Sequence, residues 1–424
     1  IFVASEFRDV LLKIQPSLSA CPKIFLIDGD DEGTPSYAKW QGQFPETDPG
    51  QDISADDPVL QLYTSGTTGR PKGAVLTDRM MLSLRGQEDG DILEPWQQYA
   101  QGETGLLAMP CFHVGGTAFG LSIMHSGARV LILEEYDPSQ TLRLIEEYKI
   151  GKIFMVPSTL QMLLKHPNFG ETDFSSLQFI FYGASPIPLE LMREAITEIG
   201  CGFVQMYGMT ESGGTIVALS PEDHIPDTQD KLALKRMRSV GNAIPGVEIK
   251  IVGQQGETIA NGEIGEIATR SVKNIREYWN LPEATKSAFD KEGWLLTGDA
   301  GYLDDDGYLY MHDRVKDMII SGGENVYPAE VEDAIYAHPQ VLDVAVVGVP
   351  DDKWGEAIKA FVVLNEGSSI SAEDIIEFSR TRIAKFKCPK SIDFIDVLPR
   401  NMSGKILRRE LRDPYWEGKE RAVN

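Results

Sequence analysis

A short apolar stretch followed directly by a glycine-rich loop occurs four times in this sequence. The four pairs are VLQLYT before SGTTGRPKG, LLAMP before CFHVGG, LQFIFYG before ASPIP, and GFVQMYG before MTESGG. Apolar runs of this length bounded by turn residues are typical of strands. Between the third and fourth pairs, an amphipathic segment ends at Gly200 and carries its apolar residues on one helical face: Leu189, Met192, Ile196 and Ile199. This order predicts a β-α-β unit and therefore a sheet that contains parallel strands.

The position of the four loops predicts a shared ligand site. Parallel strands place their carboxyl ends at one edge of a sheet, and open α/β sheets bind ligands in the crevice at that edge. A tight turn without a ligand is the alternative for any single loop, but it is a weak explanation for all four. We therefore expect the four loops to converge.

The second half of the chain has a different texture. From about Ser239, short strands and turn signals follow one another, and the Asp-Gly in YLDDDGYLYM predicts a hairpin, so this part is a small β-barrel or sheet. After DRVKD, the segments AEVEDAIYAHP, VLDVAVVGV and AIKAFVVL and a helix opened by Ser371 predict a compact α+β unit.

The predicted fold class is α/β. It consists of a large multi-layer N-terminal domain of parallel-containing sheets flanked by helices, a small β-barrel subdomain, and a small α+β C-terminal domain. The predicted domains are residues 1–315, with the barrel-like part at about 236–313, and residues 316–424, with the boundary at Lys316.

Composition excludes several classes of protein. A chain of 424 residues is too long for one compact core and suits two or three domains. Acidic residues outnumber basic ones 64 to 40, and a net charge of -24 disfavours nonspecific binding to nucleic acid or anionic lipid. No apolar run is long enough to span a bilayer. The four cysteines have no CxxC spacing, so reduced thiols in a cytoplasmic enzyme are expected: Cys21, Cys111, Cys201 and Cys388.

The beginning of the chain is expected not to be the natural start. The sequence opens at IFVASEF, without Met and within an apparent strand. The chain is therefore expected to be truncated at its amino end, and a targeting segment in the missing part is left open.

The loop in YTSGTTGRPKG has the composition of a phosphate site. It is not a Walker A motif, because Gly66 and Gly69 are too close together and Pro71 interrupts the expected ending. Its glycines expose backbone N–H groups, Lys72 adds an ammonium group, and four hydroxyls can donate: Thr64, Ser65, Thr67 and Thr68. We predict phosphate binding here, with a solvent-exposed turn as the alternative.

Five motifs together resemble a known family. In order they are YTSGTTGRPKG, QMYGMTES, LLTGDAG, DRVKDMIISGGENVYPAEVE and PRNMSGKILRREL. They resemble the core motifs of the acyl-adenylate-forming superfamily, whose members are acyl-CoA synthetases, adenylation domains of nonribosomal peptide synthetases and beetle-type luciferases. The resemblance extends from about Val59 to Arg412, and members of the family extend further at the amino end than this chain does.

The resemblance implies a reaction in two halves. A carboxylate attacks the α-phosphate of ATP to give acyl-AMP and pyrophosphate, and a thiol then takes the acyl group. The implied co-substrates and cofactor are ATP, CoA and Mg²⁺, and the implied partner is a small carboxylic acid. Because the acid and ATP are both anions, positive charge must be placed where they meet.

The resemblance also assigns roles to individual residues. Lys405 matches the catalytic lysine, Asp299 the residue that accepts the ribose hydroxyls, and Arg314 a second contact to ribose or phosphate. Glu211 is expected to hold Mg²⁺ together with Thr64, although a helix-terminal charge is the plain alternative. The resemblance also implies that Gly183, Ala184 and Ser185 border the adenine and that Tyr207 stacks near it, with a core aromatic residue as the alternative for Tyr207. The predicted catalytic residues are Lys405, His113, Thr210 and Glu211. The predicted nucleotide-binding residues are Thr64, Ser65, Gly66, Thr67, Thr68, Gly69, Lys72, Gly183, Ala184, Ser185, Met206, Tyr207, Gly208, Met209, Thr210, Asp299, Arg314 and Lys405.

A second set of residues is implied in thioester formation. By resemblance, the SGGEN segment lets the pantetheine arm of CoA pass close to the backbone, with an ordinary β-turn as the alternative. Because Lys405 is needed in the first half-reaction and this segment in the second, the C-terminal domain is expected to turn between them. The CoA and hinge residues are Lys316, Ser321, Gly322, Gly323 and Glu324.

The sequence favours a CoA ligase within the family. The CFHVGG loop lacks the Asp that amino-acid-activating domains usually carry, so an acid without an α-amino group is expected. The apolar run at residues 151–165 is interpreted as part of the acyl pocket, which favours a fatty acid over an aryl acid. The other hypotheses are an enzyme that loads a carrier protein and a noncatalytic nucleotide-binding remnant. A homodimer is left open.

Overall fold

The computed structural model describes residues 1–18, 20, 22–29, 31, 33–64, 71–82, 94–401 and 403–417. The chain forms two compact units, Ile1–Ser54 and Ala55–Asn424. Within the described ranges, no helix is both long and apolar enough to cross a membrane. Cys111, Cys201 and Cys388 are free thiols, and Cys21 lies outside the described residues.

The strands are short and are spread over the whole chain. They are β1 (Phe2–Val3), β2 (Phe25–Leu26), β3 (Pro58–Thr64), β4 (Lys72–Thr77), β5 (Thr104–Leu107), β6 (Arg129–Ile132), β7 (Ile150–Met155), β8 (Phe179–Gly183), β9 (Gly202–Met209), β10 (Gly214–Leu219), β11 (Asn242–Ala243), β12 (Glu248–Val252), β13 (Gly265–Arg270), β14 (Glu277–Tyr278), β15 (Leu295–Leu303), β16 (Leu309–Arg314), β17 (Ile319–Ser321), β18 (Glu324–Val326), β19 (Val341–Asp351), β20 (Gly355–Leu364) and β21 (Ser391–Phe394).

The helices lie between the strands. They are α1 (Arg8–Ile14), α2 (Tyr37–Gln41), α3 (Asp78–Leu82), α4 (Val114–His125), α5 (Pro138–Glu147), α6 (Pro157–Leu164), α7 (Leu189–Ile199), α8 (Lys231–Arg236), α9 (Pro282–Ser287), α10 (Pro328–Tyr336), α11 (Ala372–Arg380) and α12 (Arg408–Trp416).

The first unit is small and aromatic. β1 and β2 pair in parallel. Around them, ring centroids lie 5.0 to 5.9 Å apart among Phe2, Phe25, Tyr37, Trp40 and Phe44. Edge-to-face and tilted packing at these distances stabilises this cluster, in which Phe25 is buried and Phe2 and Phe44 are exposed.

The second unit is centred on a seven-stranded sheet. Its order is β11-β10-β9-β8-β7-β5-β6. The five strands from β6 to β9 run parallel, and β10 and β11 are antiparallel. The predicted β-α-β unit is confirmed as β8-α7-β9, and Gly200 ends α7 in the left-handed conformation at φ 74°. Because helices cover both faces, the central strands are apolar on both sides, as Ile153 and Phe154 illustrate.

The first of the four predicted loops belongs to a different sheet. β3 and β4 form an antiparallel pair that β14 extends, in the order β14-β4-β3. The expectation that all four loops follow parallel strands of one sheet is therefore wrong for the loop between Thr64 and Lys72, and correct for the other three. Residues 65–70 lie outside the described residues.

A four-stranded antiparallel sheet follows in the order β12-β13-β15-β16. The sequence left a barrel or a sheet open, and this strand order is that of a sheet with β12 and β16 at its edges. The predicted hairpin is present as β15 and β16, and Gly307 in its turn has a φ of 83°. The pairing places Asp299 directly opposite Arg314.

The last part of the chain is an α+β arrangement, as predicted. β18, β17, β20 and β19 pair in that order, and β21 adds to β20 in parallel. α10 and α11 pack against this sheet through Val331, Ile335 and Ile375. Ser371 begins α11, and its side chain accepts a hydrogen bond from the Asp374 N–H at 3.2 Å.

Candidate active site

Two large cavities meet in the second unit. One has a volume of about 810 Å³ and runs beside α4. The other has a volume of about 1360 Å³ and lies between the seven-stranded sheet and the residues that follow Lys316. We call them the α4 cavity and the cleft. Both are lined by Ala184, Met206, Gly208, Arg314, Asn401 and Lys405.

Lys405 lies at this junction. It sits in a turn closed by Asn401, whose Oδ1 accepts hydrogen bonds from the backbone N–H groups of Ser403 and Lys405 at 3.0 Å each. Burial lowers the pKa of Lys405, the charge of Arg314 lowers it further, and Asp299 and Glu211 act in the opposite sense. The turn therefore presents an ammonium group to both cavities beside a second cation.

Glu211 is buried at the end of β9, next to Thr210. Its Oε1 accepts hydrogen bonds from the Thr64 hydroxyl at 3.1 Å and from the Tyr278 hydroxyl at 2.8 Å. Only 6% of Glu211 is exposed. The structure thus brings together Thr64 and Glu211, the two residues predicted to hold Mg²⁺.

Tyr278 is a site residue that the sequence did not reveal. It lies in β14, and its ring centroid is 5.0 Å from the Lys72 Nζ. Burial and the negative charge of Glu211 raise the pKa of Tyr278, so its hydroxyl stays protonated and donates. Tyr278 therefore fixes the Glu211 carboxylate and supports Lys72 at the same time.

Asp299 and Arg314 form an ion pair at the edge of the cleft. The Arg314 Nε lies 2.8 Å from Asp299 Oδ1, and the Tyr207 hydroxyl donates to Oδ2 at 2.8 Å. The Asp299 charge raises the pKa of Arg314. Tyr207 is buried and lines the cleft, so it is both a core residue and the residue that orients Asp299.

The predicted adenine-binding segments border the cleft. Gly183, Ala184 and Ser185 line it together with the strand from Met206 to Gly208, while Met209 and Thr210 line the α4 cavity. Ala184 has a φ of 65°, a left-handed conformation that a non-glycine residue rarely adopts. A side chain at Gly183 would lie 2.1 Å from the Met206 carbonyl oxygen, which explains the glycine there.

His113 lies at the start of α4 and lines the α4 cavity. Its Nδ1 accepts a hydrogen bond from the Gly115 N–H at 3.1 Å. Burial lowers the pKa of His113 to about 4, and the charge of Lys405 contributes. The imidazole is therefore neutral at neutral pH, and because Nδ1 accepts, Nε2 carries the proton and can donate.

The structure places the predicted hinge residue and the predicted CoA residues in different regions. Lys316 lines the cleft. Ser321 and Glu324 face each other in the β17–β18 hairpin, and Gly322 and Gly323 form its turn at φ 64° and 87°. A side chain at Gly322 would lie 2.7 Å from the Trp354 ring. The hairpin residues lie outside both cavities in this arrangement of the chain.

The wall of the α4 cavity differs from the one expected. Of residues 151–165, the apolar run interpreted as pocket lining, only Phe154 lines this cavity. Ile153, Met155 and Leu160 instead lie in the core of the seven-stranded sheet. Most of the run therefore does not line this cavity, since a strand buried on both faces is as apolar as a pocket wall.

Side chains from one face of α4 form a long side of the cavity. The lining positions recur at intervals of three, four and seven residues, which places them on one face: Val114, Gly115, Ala118, Phe119, Ser122, His125 and Ser126. From Gly115 to Ser126 this face extends about 16 Å at the helical rise per residue. Small side chains predominate along its middle.

Residues from all five motifs of the sequence line these two cavities, which meet at Lys405. The family model described as AMP-binding enzyme matches residues 2–279, and the model described as AMP-binding enzyme C-terminal domain matches residues 330–405. The chain belongs to the AMP-binding enzyme family. The resemblance inferred from the five motifs is confirmed.

Similar proteins agree with this placement. A fatty acid–acyl-carrier-protein ligase of Streptomyces coeruleorubidus is 39% identical over 425 residues, covering 100% of this chain and 79% of that protein. A long-chain-fatty-acid–CoA ligase of Mycobacterium tuberculosis is 38% identical over 368 residues, covering 87% and 70%. The structure of ATP-bound MatB from Rhodopseudomonas palustris has a TM-score of 0.85 at 30% identity, covering 99% of this chain and 79% of that one. These similarities confirm the predicted fold class and the prediction that the chain is an ATP-dependent acid ligase.

Proposed function

We propose that the chain is an ATP-dependent carboxylic acid–CoA ligase. It activates an acid as acyl-AMP with release of pyrophosphate and then transfers the acyl group to CoA. The observation that carries this proposal is the position of Lys405, which lines both the α4 cavity and the cleft. One cavity takes the acid, the other takes the nucleotide, and the lysine lies where the two anions meet.

The first half-reaction needs cations in place before the anions arrive. A carboxylate oxygen bonds to the α-phosphorus, the bond from that phosphorus to the bridging oxygen breaks, and pyrophosphate leaves. Lys405 and Arg314 line both cavities, and Lys72 lies in the wall of the α4 cavity. Fixed positive charge at the reacting atoms is usually the largest contribution to such catalysis.

The donor set at Glu211 fits Mg²⁺. Mg²⁺ prefers oxygen ligands and commonly uses one or two carboxylates with substrate phosphates. Glu211 supplies a buried carboxylate, and Thr64 a hydroxyl oxygen 3.1 Å from it. In the described part of the chain no three His, Cys, Asp or Glu side chains cluster, so phosphate oxygens would complete the ligand set. When bound, the ion would screen the triphosphate charge.

Asp299 and Tyr207 are assigned to the ribose. A carboxylate can accept one hydroxyl on each oxygen. The Asp299 side chain is held by Arg314 and Tyr207 at 2.8 Å each, so its orientation is fixed before the nucleotide binds. The ribose is thereby placed beside Lys405.

His113 is assigned to the acyl carbonyl. In the second half-reaction the thiol sulfur bonds to the acyl carbon, AMP leaves, and the thiol proton passes to solvent. The neutral His113 ring presents a donating Nε2–H, because its Nδ1 is occupied by Gly115. A donor at that position stabilises negative charge on the carbonyl oxygen.

The shape of the α4 cavity supports a fatty acid over a compact aryl acid. The cavity follows one face of α4 for about 16 Å, from Gly115 to Ser126. An extended acyl chain fits a cavity of this form, with its carboxylate near His113. An aryl acid would fill only the part closest to Lys405.

An enzyme that loads a carrier protein is the second candidate. The similarity to a fatty acid–acyl-carrier-protein ligase, which covers the whole chain at 39% identity, favours it. Both candidates share the first half-reaction and differ in the thiol. A cytoplasmic location and a homodimer remain predictions, and light scattering after gel filtration tests the latter.

The test is a product assay. The chain is incubated with ATP and Mg²⁺ and a panel of straight-chain and aryl acids, with either CoA or a phosphopantetheinylated carrier protein. We expect pyrophosphate and AMP with long straight-chain acids, and thioester with CoA. ADP as the stoichiometric product would contradict the proposal, and thioester formed only on the carrier protein would favour the second candidate.

A further inference from the structure

A lysine is buried at the centre of the large sheet. Lys152 lies in β7, between β5 and β8, and is 0% exposed. Charged side chains are almost never fully buried unless they are paired. Its Nζ lies 3.3 Å from Glu103 Oε1, donates to the Gln98 carbonyl oxygen and lies 3.8 Å from the centroid of the Tyr99 ring.

One partner of Lys152, Tyr99, lies in a wall of the α4 cavity, and the other two lie next to that wall in sequence. Trp96, Gln97 and Tyr99 line that cavity. Glu103 Oε2 also accepts a hydrogen bond from the Ala100 N–H at 2.8 Å. The ion pair therefore holds the backbone of this segment at residue 98 and at residue 100. We call residues 96–99 the tryptophan wall.

Packing holds one end of the tryptophan wall, because Trp96 belongs to the aromatic core beside Phe181, whereas the backbone after it is held by Lys152 and Glu103. The wall's only regular structure is a single 3-10 turn, Pro95–Gln97, and one turn of this kind is not stable by itself. Successive side chains of a strand alternate between faces, so Lys152 and Phe154 lie on the same side of β7. Lys152 thus supports the tryptophan wall from the face of the sheet that also contributes Phe154 to the cavity.

Stability alone does not account for this pair. Removing two charges from water costs about as much as their attraction returns, so buried ion pairs are poor stabilisers compared with apolar residues. Burial lowers the pKa of Lys152, and Glu103 opposes that shift. Gly151 leaves room for Glu103, because a side chain there would lie 2.8 Å from Oε1. The small residue at position 151 thus accommodates the Lys152–Glu103 pair, whose role we assign to fixing the position of neighbouring backbone rather than to stability.

We propose that Lys152 is a positioning residue for acid selection. Together with Glu103 it fixes the tryptophan wall and so sets the width of the α4 cavity beside the acyl chain. The inference rests on the proposed function, since it concerns the acid that this cavity takes. It identifies a specificity determinant that does not line the cavity.

The test uses the double variant Lys152→Met/Glu103→Gln, which removes both charges and keeps an acceptor for the Ala100 N–H. We expect it to melt within a few degrees of the unchanged chain and to keep its KM for ATP. The ratio of kcat/KM for a straight-chain acid to that for a branched acid of equal carbon number should fall about tenfold, a typical scale for hydrophobic-pocket discrimination. An unchanged ratio would show that the pair is only structural.

Two further variants serve as a control and as a substitute for the double variant. Lys149→Met removes an exposed lysine paired with Asp173 at the start of the same strand, and it should change neither the ratio nor the KM for ATP. If the double variant does not fold, Glu103→Gln alone is the substitute, because it removes one member of the ion pair and keeps an acceptor for the Ala100 N–H. That variant should lose part of the selectivity, and full selectivity would overturn the proposal.

A readout without turnover separates this inference from the proposed function. The fluorescence of Trp96 is obtained by subtracting the spectrum of Trp96→Phe from that of the parent, in both backgrounds. We expect the Trp96 emission to shift to longer wavelength in the double variant, and no shift would contradict a loosened tryptophan wall. If none of the acids tested leads the unchanged chain to release pyrophosphate, the proposed function is contradicted. The fluorescence measurement still decides the role of Lys152.

Discussion

The α4 cavity and the cleft meet at Lys405 but are held by different interactions. The α4 cavity has a wall of buried aromatic rings: Phe119 lies 6.0 Å from Phe154 and 5.4 Å from Phe181, between ring centroids. All three belong to one packed core. Closely packed cores change shape only at a high cost in free energy, so this cavity keeps its form.

The cleft is bridged by polar contacts between parts of the chain on either side of residue 316, several of which are single hydrogen bonds. Gln161 donates to the Tyr336 hydroxyl at 2.8 Å and to the Leu342 carbonyl oxygen at 2.7 Å, and the Leu189 N–H donates to Asp333 Oδ1 at 3.2 Å. Each such bond contributes about 1 kcal/mol net, because water replaces it on opening. The comparison indicates that the α4 cavity is rigid and that the cleft is the part that can open.

The largest expected effect comes from removing the cation at the junction. Lys405→Ala should cost adenylation about 3 to 4 kcal/mol, the scale for losing one preorganised charge-stabilising group. Thioester formation from supplied acyl-AMP should be spared, and single-turnover assays of the two half-reactions measure both. Lys385→Ala, an exposed lysine nearby in sequence, is the control. Equal loss in both half-reactions with an unchanged circular dichroism spectrum would contradict the separation.

A block in the rigid cavity should have the next largest effect. Ser122→Phe places a ring about two thirds of the way along the lining face of α4, and the packed wall opposite cannot move to accept it. We expect the activation free energy that corresponds to kcat/KM to rise by about 2 kcal/mol for long straight-chain acids and to change little for short ones. Met124 lies on the opposite face of α4 and is 62% exposed. Met124→Phe should therefore leave the dependence of kcat/KM on chain length unchanged. Equal loss at every chain length would show that the acyl chain does not follow α4.

Much of the fold was predictable because the signals are local. The strands before three of the loops and the β8-α7-β9 unit follow from apolar patterns within a few residues. The sheet to which β3 and β4 belong could not be predicted from such patterns. Its third strand is β14, in which Glu277 and Tyr278 pair with residues 75 and 74. Strand partners so distant in sequence leave no local pattern.

The grouping of residues at the candidate site was predictable where a motif carried them. Lys405, Glu211 and Asp299 were named from motif resemblance, and the structure places all three around the junction of the cavities. Tyr278 was missed because a tyrosine that orients a carboxylate 67 residues away is read from the sequence as an ordinary core residue. Lys152 was missed for the same reason, since its partners are known only once the strands are placed.

Loosening the cleft tests the other half of the comparison. Gln161→Ala removes two hydrogen bonds, to Tyr336 and Leu342, and should shift the chain away from the arrangement with Lys405 at the junction by about 1 to 2 kcal/mol. We expect the single-turnover rate of adenylation to fall relative to that of thioester formation, consistent with the hinge predicted at Lys316. Gln178→Ala, an exposed glutamine, is the matched control. A constant ratio of the two rates would mean that these bonds do not hold the cleft closed.

The smallest effect is a titration that reports whether the two cavities are joined in solution. Burial is the larger cause of the low pKa of His113, about 4, and the Lys405 charge is the smaller one. Lys405→Ala should therefore raise the pKa of His113 above 4 but leave it below its ordinary value near 6.5. The His113 ring resonance, assigned with His113→Gln, can be followed by NMR as pH falls. Because the folded-state pKa is lowered, the unfolded chain binds this proton more readily, and His113 contributes a loss of stability as pH falls from about 6.5 toward 4. That window should narrow in Lys405→Ala. If the pKa of His113 does not respond, Lys405 does not reach the junction in solution, and the cleft must already be open before the nucleotide binds.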